Sequence, residues 1–188
     1  ATEAGVSVAM WGAATITMVP VALVDEDRTA NITVYNGDTF SSFFDRPEAE
    51  QARYELTTVD SVTVRVRPLD DLVINAIVPP PTVVKIDVEG AERAVLSGAR
   101  RTFGRYRPPI LIEYSCVNAA NAGYDRRELI RELGSLGYHA LFGLYRDRDR
   151  TLYGEAMFDD CRIWNVVAFP HAEPPWSDVI KEHRKGGT

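Results

Sequence analysis

The segment from Val83 to Glu113 restricts the fold more than any other part of the chain, because its apolar pattern changes from strand to helix and back to strand. Val83, Val84 and Ile86 form a short apolar run that is typical of a buried parallel strand. Apolar residues then recur at helical spacing, at Ala91, Ala94, Val95, Ala99 and Phe103. The pattern therefore predicts a strand followed by a helix.

A second strand is predicted at residues 110–112, after Pro108 and Pro109, which cannot continue a helix. Strand, helix and strand make a βαβ unit, so we expect an α/β fold in which these two strands are parallel. Each strand is closed by an acid, Asp87 or Glu113. Ligands of open α/β sheets bind beyond the carboxyl ends of the strands, and adjacent strands lie roughly 5 Å apart. We therefore expect both carboxylates to face one functional crevice.

The same segment carries a long motif, which reads KIDVEGAE at residues 85–92, VLSGA at 95–99 and PPILIE at 108–113. Shorter matching segments lie on both sides, namely VPVALVD at residues 19–25, PLDDL at 68–72, LGY at 136–138 and NVVA at 165–168. Over about residues 15 to 170, this pattern resembles the FkbM family of S-adenosylmethionine-dependent methyltransferases.

The resemblance implies a Rossmann-like class I methyltransferase sheet, mostly parallel, with an antiparallel strand pair near the C-terminus at residues 138–144 and 163–169. Family members begin with a strand and a glycine-rich turn that hold the methionine and ribose of the cofactor. None of the thirteen glycines here forms a G-x-G pair. We therefore expect residues 1–170 to form a partial methyltransferase domain that lacks its first strands, followed by a loosely ordered tail at 171–188.

Composition excludes several classes of protein. A chain of 188 residues with 45% hydrophobic residues can bury one core. The net charge of -6 argues against a nucleic-acid partner, because the basic residues cluster only at residues 100–107 and 146–150 and are interrupted there by other residues. No segment approaches the roughly 20 apolar residues that a membrane span needs. There is no G-x-x-x-x-G-K motif of a nucleotide hydrolase. The oligomeric state is not indicated.

The two cysteines, Cys116 and Cys161, lie far apart in the sequence and form no C-x-x-C pair. A reduced, cytoplasmic protein with two buried, inert thiols is the simplest interpretation.

The remaining patterns predict more elements outside the βαβ unit. Residues 1–12 suggest a weak helical or irregular stretch, and residues 16–24 and 30–35 suggest two strands that form a hairpin. Val62, Val64 and Val66 alternate with polar residues, which predicts a half-exposed strand. A capped helix is expected at residues 125–137.

Two polar loops are expected at residues 36–57 and 115–124. The first contains Phe40, Phe43 and Phe44, which either serve the site or fold back on the core. The alternating charges of Arg146 to Arg150 predict a solvated hairpin tip.

Methyl transfer from a sulfonium needs alignment and removal of a proton from the acceptor, so a carboxylate is a suitable base. By its position in the fold that the resemblance implies, Asp87 is either this base or an anchor for the methionine amino group of the cofactor. Glu89 is a further catalytic candidate, although an acid at a helix start also has a structural explanation. Glu92 is expected to be structural, and Gly90 to permit close packing or an unusual backbone angle.

Glu113 is expected to act in catalysis or to bind substrate hydroxyls together with Asp87. Oxygen ligands would also suit Mg²⁺, but we expect no metal at this site. Asp70 either lines the acceptor pocket or caps a short helix. By position alone, Ala22, Leu23 and Asp25 correspond to residues that flank the adenine ring of the cofactor in this fold.

The resemblance and the acids at the strand ends together predict S-adenosylmethionine-dependent O-methylation of a hydroxyl on a small molecule or a glycan. The alternative is a truncated or degenerate relative without activity, which serves as a binding or scaffold module. The missing glycine-rich turn favours this alternative, and we expect little or no binding of S-adenosylmethionine to this chain.

Overall fold

The βαβ unit predicted from the sequence is present in the computed structural model, which describes residues 7–11, 14–36, 41–145, 151–153 and 158–170. The strands are β1 Ser7–Trp11, β2 Ala14–Met18, β3 Ala22–Leu23, β4 Arg28–Tyr35, β5 Thr58–Arg67, β6 Val84–Ile86, β7 Ile110–Glu113, β8 Ala140–Tyr145, β9 Thr151–Tyr153 and β10 Ile163–Phe169. The helices are α1 Glu48–Arg53, α2 Leu69–Ile74, α3 Glu92–Ser97, α4 Arg100–Tyr106, α5 Cys116–Asn121 and α6 Arg127–Ser135.

The central sheet has five strands in the order β6-β7-β10-β8-β9. Strands β6 and β7 are parallel, as expected for a βαβ unit, whereas the other three pairings are antiparallel. The antiparallel pair β8–β10 confirms the prediction for the C-terminal strands. A mostly parallel Rossmann arrangement is not confirmed, because β10 enters between β7 and β8 and runs opposite to both. The α/β class is confirmed, with a mixed sheet.

A separate sheet has the order β3-β5-β4. The predicted hairpin between residues 16–24 and 30–35 is wrong, because β3 pairs in parallel with β5, and β4 pairs antiparallel with the opposite edge of β5. The predicted alternation in β5 is visible at its C-terminal end, where Val64 and Val66 are partly or fully buried while Arg65 between them is exposed. This sheet therefore depends on a long-range pairing that the local turn pattern does not reveal.

The N-terminal prediction of a helical or irregular stretch is wrong for residues 7–11, which form β1 and pair with β2. Residues 1–6 and 12 of that prediction lie outside the described part of the chain, as do the predicted hairpin tip at 146–150 and the tail at 171–188.

The single helix predicted inside the βαβ unit is divided into α3 and α4 at Gly98 and Ala99. Gly98 lies against the strand β3 region, since a Cβ atom built on it would lie 2.0 Å from the carbonyl oxygen of Val24. Asp70 accepts hydrogen bonds from the backbone N–H groups of Arg101 and Thr102, at 2.9 and 2.7 Å, and so caps α4. The break allows the chain to pass close to β3 and to begin a new capped helix.

The hydrophobic core lies between the five-stranded sheet and the helices that cover it. It includes completely buried side chains from α3, α4, β7, α6 and β10, namely Leu96, Phe103, Ile110, Ile112, Leu133, Ile163 and Val166. Helix α3 also packs against α6. This core supports the carboxyl ends of β6 and β7, where the two predicted acids are located.

The predicted helix at residues 125–137 is confirmed as α6, with the expected signals at both ends. Glu128 accepts a hydrogen bond from the N–H of Asp125, and Asp125 accepts one from the N–H of Arg127. Gly137 has a φ of 85°, the left-handed conformation expected after a helix.

Both predicted loops contain a short helix. Residues 36–57 include α1, and residues 115–124 include α5. Helix α5 begins here because the hydroxyl oxygen of Ser115 accepts a hydrogen bond from the N–H of Asn118 at 3.2 Å. Of the three phenylalanines in the first loop, Phe40 lies outside the described residues, and Phe43 and Phe44 are half-buried.

The prediction of two reduced thiols is wrong, because Cys116 and Cys161 form a disulfide with a Cα–Cα distance of 6.0 Å. The antiparallel pairing of β7 with β10 brings Cys116, three residues after the end of β7, close to Cys161, two residues before the start of β10, which the 45-residue separation in sequence conceals. The argument from thiols to a cytoplasmic location therefore loses its support. Among the described residues, no helix has the length and apolar character required to cross a membrane.

Candidate functional site

Three acids meet at the carboxyl ends of β6 and β7, and we call them the carboxylate cluster: Asp87, Glu89 and Glu113. Asp87 follows β6 directly, and Glu113 is the last residue of β7. One carboxylate oxygen from each residue lies within 4.8 Å of those of the other two. The structure thus brings together the two acids that were expected to share a crevice and adds Glu89 beside them.

An unusual turn carries Glu89 into the cluster. Glu89 and Gly90 have φ values of 51° and 107°, both in the left-handed region. A Cβ atom on Gly90 would lie 3.0 Å from the backbone oxygen of Asn118 and 3.2 Å from the ring of Phe44. Both explanations proposed for this glycine therefore hold, since the turn needs its backbone freedom and its small size.

Glu92 stabilises the same turn from inside the protein. Its carboxylate accepts hydrogen bonds from the N–H groups of Val88 and Gly90, at 3.1 and 3.2 Å, and from the hydroxyl of Tyr124 at 3.1 Å. Glu92 is buried. A buried carboxylate with three donors is well compensated, so its contacts agree with the structural role expected for it.

Arg46 is a buried cation on the opposite side of the cluster, and the sequence patterns did not single it out. Its guanidinium pairs with Glu89 at 2.6 Å and with Glu50 on α1. Glu50 also accepts a hydrogen bond from the side chain of Asn121 on α5, at 2.7 Å. The loop that was expected to be polar and irregular thus supplies the charge that balances Glu89.

Asn118 on α5 is a second residue that the sequence analysis did not identify. Its side-chain nitrogen donates to Glu89 at 3.1 Å and to Glu113 at 3.0 Å. Its position in the segment that follows β7 was the available signal, because such segments form the functional edge of α/β sheets.

Burial is the main cause of the altered acidity in the cluster. It raises the pKa of Glu113 to about 7, against a hydrogen bond from Asn118 that lowers it, and the nearby charges of Glu89, Glu92 and Asp87 raise it further. Burial also raises the pKa of Glu89, with Arg46 acting in the opposite direction. Glu113 can therefore exchange a proton near neutral pH, which is a property of a general base.

Asp87 has a different environment from Glu113, since it is exposed and pairs with Lys85 at 2.8 Å. The same contact raises the pKa of the Lys85 ammonium group. Asp87 thus presents its carboxyl group at the open side of the cluster, where it can meet a ligand.

A cavity of about 440 Å³ adjoins this open side. Its walls include Ala22 from β3 and, from the turn after β6, Asp87 and Glu89. The remaining wall comes from Ile32 and from the segment that contains Ser42 and Phe43. The structure therefore brings Ala22 and Asp87, two predicted cofactor contacts, to one cavity.

The other predicted contacts lie elsewhere. Asp25 lines two neighbouring cavities along α3, which also include Phe44 and Ala94. Leu23 is partly buried and packs against the core. Asp70 is buried beneath α4, and its two carboxylate oxygens accept the N–H groups described above. These contacts match the helix-capping alternative for Asp70.

The carboxylate cluster offers the oxygen atoms that a cation such as Mg²⁺ would need. However, exposed acids often gather without a metal, and Arg46 and Asn118 already provide positive charge and hydrogen bonds to two of the three. We assign no metal to this site.

Comparison with known proteins identifies the class of protein that this fold and site define. The model of the methyltransferase FkbM domain matches residues 13–140. The match covers more than half of the chain, so the chain belongs to the FkbM methyltransferase family, which confirms the resemblance found in the sequence.

One solved structure is similar, the crystal structure of methyltransferase FkbM from Methylobacillus flagellatus KT. It shares 21% sequence identity over 57% of this chain, with a TM-score of 0.35. The chain spans 24% of the length of that protein. No curated protein matches the chain.

Proposed function

We propose that this chain contributes to S-adenosylmethionine-dependent methylation of a hydroxyl group on a small molecule or a glycan. The observation that carries the proposal is the position of Glu113, a carboxylate with a pKa of about 7, beside Asp87 and Glu89 at the ends of two parallel strands. A base with this acidity suits the removal of a proton from an alcohol that is attacking an electrophile.

The cavity beside the cluster agrees in chemistry with the proposed cofactor. S-adenosylmethionine carries a sulfonium and an ammonium charge, and Asp87 and Glu89 present negative charge at the cavity wall. Ile32 and Phe43 supply an apolar wall, which suits the adenine ring of the cofactor. When bound, the cofactor supplies an activated methyl group. Asp87 and Ala22 are the residues of this chain that would hold it.

The three acids have separate roles in this proposal. Glu113 holds or accepts the proton of the acceptor hydroxyl. Asp87, which is exposed at the cavity wall, anchors the ammonium group of the cofactor. Glu89 is paired with Arg46 and fixes the turn between them. This division follows from the environment of each carboxylate and sharpens the two roles that the sequence left open for Asp87.

Transfer of a labelled methyl group tests the proposal. The chain is incubated with methyl-labelled S-adenosylmethionine at high concentration and with a panel of polyols and glycans. We expect transfer to oxygen, and a loss of about 10² to 10⁴-fold in turnover for Glu113→Gln, the usual contribution of a general base.

Val117→Leu is the matched control, since Val117 is exposed on α5 and has no contact with the cluster among those described. It should leave turnover unchanged. Transfer that is as fast in Glu113→Gln as in the control would exclude Glu113 as the base.

A binding or scaffold module without activity is the second candidate, and one observation favours it. Ala22 and Asp87 both line the cavity, but Ala22 lies in β3 and Asp87 follows β6, and these two strands belong to separate sheets. Walls that no common sheet joins are less rigid, and catalysis needs rigid alignment. Binding of an acceptor without any methyl transfer would favour this candidate.

A further inference from the structure

We propose that Asn118 is the positioning residue of the site: its side-chain amide spans Glu89 and Glu113 and holds the two carboxylates at a fixed separation. The proposal rests on the function proposed above, because it assigns how the base of that reaction is held. The role assigned to Asn118 is exerted through its hydrogen bond to Glu113.

The donor geometry of an amide suits this task. A primary amide nitrogen has two N–H groups, and here one is directed to Glu89 and the other to Glu113, at 3.1 and 3.0 Å. Ionised carboxylates can only accept, so the nitrogen and not the oxygen of the Asn118 amide must face them. One side chain thereby connects two like charges that would otherwise repel each other.

Several contacts fix Asn118 itself. It is buried, its N–H is bound to the hydroxyl of Ser115 at the start of α5, and its carbonyl oxygen accepts from the N–H of Ala122. The same oxygen lies where Gly90 has no side chain, so α5 can approach the turn that carries Glu89. The disulfide at Cys116, the first residue of α5, ties this helix to the segment before β10.

The charges around Glu113 come from three other elements. Lys85 in β6 and Asp87 directly after this strand face Glu113 from one side. Glu89 faces it from the left-handed turn, and Glu92 from the start of α3. The charge of Glu113 also raises the pKa of Tyr124, which follows α5.

Arg46 is engaged with Glu89 and Glu50, and Lys85 with Asp87. Within the described part of the chain, Asn118 is thus the hydrogen-bond donor to Glu113. Its loss would leave Glu113 facing three carboxylates, and the ionised form would become less stable.

Carbon-detected NMR of the glutamate carboxyl groups tests this inference in the chain without cofactor or acceptor. Glu113→Gln identifies the Glu113 resonance. In Asn118→Leu, which keeps the approximate shape but has no donor, we expect the pKa of Glu113 to rise by about one unit, the usual effect of a hydrogen bond to a charged group. Val117→Leu, the next residue on α5, should leave the pKa unchanged.

A purely structural Asn118 would lower the thermal midpoint without moving this titration. A Glu113 pKa in Asn118→Leu that equals the value in Val117→Leu would therefore overturn the proposal. If Asn118→Leu does not fold, Asn118→Asp replaces it, because it keeps the shape, removes the donor and adds a charge. Its expected shift is in the same direction and larger, and an unshifted value would also overturn the proposal.

The measurement separates this inference from the proposed function. A shifted pKa in a chain that transfers no methyl group supports the positioning role and contradicts only the activity. An unshifted pKa in an active chain contradicts only the positioning role. In an active chain, the low-pH limb of the turnover profile should move upward by the same amount in Asn118→Leu.

Discussion

The carboxylate cluster and the exposed face of the β3-β5-β4 sheet contain the same kinds of charged residue in opposite environments. On the sheet, Asp27 pairs with Arg65 at 3.0 Å, and the hydrogen bond from Arg65 lowers the pKa of Asp27. In the cluster, Glu113 forms no ion pair with any of the residues that the structure describes, and burial raises its pKa to about 7. The difference shows that the surroundings of a carboxylate, and not its residue type, determine whether it can act as a base near neutral pH.

Among the substitutions that test this contrast, the removal of Arg46 should lower the free energy of unfolding most. Arg46→Met leaves Glu89 and Glu50 without their buried cation, and breaking one side of a buried pair costs about 3–5 kcal/mol. Urea unfolding of the variant should show this loss of folding free energy. The control is Arg53→Met, which changes an exposed arginine at the end of α1.

A loss for Arg46→Met below about 1 kcal/mol, the range of an exposed ion pair, would mean that this pair behaves like the pairs on the sheet. The contrast between the two regions would then not depend on buried charge.

Glu113 should produce a smaller effect that depends on pH. The pKa of Glu113 is about 7 in the folded chain and 4.5 in the unfolded chain. Between these values the folded chain keeps a proton that the unfolded chain releases, so stability is complete below pH 4.5 and falls as the pH rises to 7. In Glu113→Gln the side chain cannot ionise, so the loss of folding free energy over this pH range should be smaller by roughly 2 kcal/mol.

Urea midpoints at pH 5 and pH 8, about the ends of this window, check the expectation. Glu26→Gln, an exposed acid before β4, should keep the pH dependence of the original chain. Equal pH dependence in the original chain and in Glu113→Gln would show that Glu113 ionises as an ordinary surface acid does.

The smallest effect is expected on the sheet. Arg65→Met removes an exposed partner of Asp27, whose attraction is weakened by solvent and screened by salt. The urea midpoint should not change measurably at an ionic strength of about 0.15 M, and it should fall slightly only at low salt. A decrease as large as that of Arg46→Met would remove the distinction between the two regions.

The sequence was sufficient to predict the βαβ unit and the meeting of Asp87 with Glu113. Both follow from short-range periodicity and from the rule that parallel strands end at one edge of a sheet. The cap of α6 was equally accessible, because its signals lie within a few residues of one another.

The sheet pairings and the rest of the site depend on contacts between distant residues. Arg46 meets Glu89 across 43 residues, and Asn118 meets Glu89 across 29. The pairing of β3 with β5 likewise joins strands separated by β4 and α1. A single sequence contains no local pattern for such contacts, and for this reason the hairpin and the disulfide were predicted wrongly.

The disulfide between Cys116 and Cys161 changes the covalent connectivity of the chain. It closes a covalent ring across a sequence separation of 45 residues, which contains α5, α6, β8 and β9. In the chain-entropy description, a ring of this size removes about 4 kcal/mol of freedom from the unfolded chain. Within this ring, one cleavage of the backbone does not divide the molecule, because both pieces stay joined until the sulfur bond is reduced.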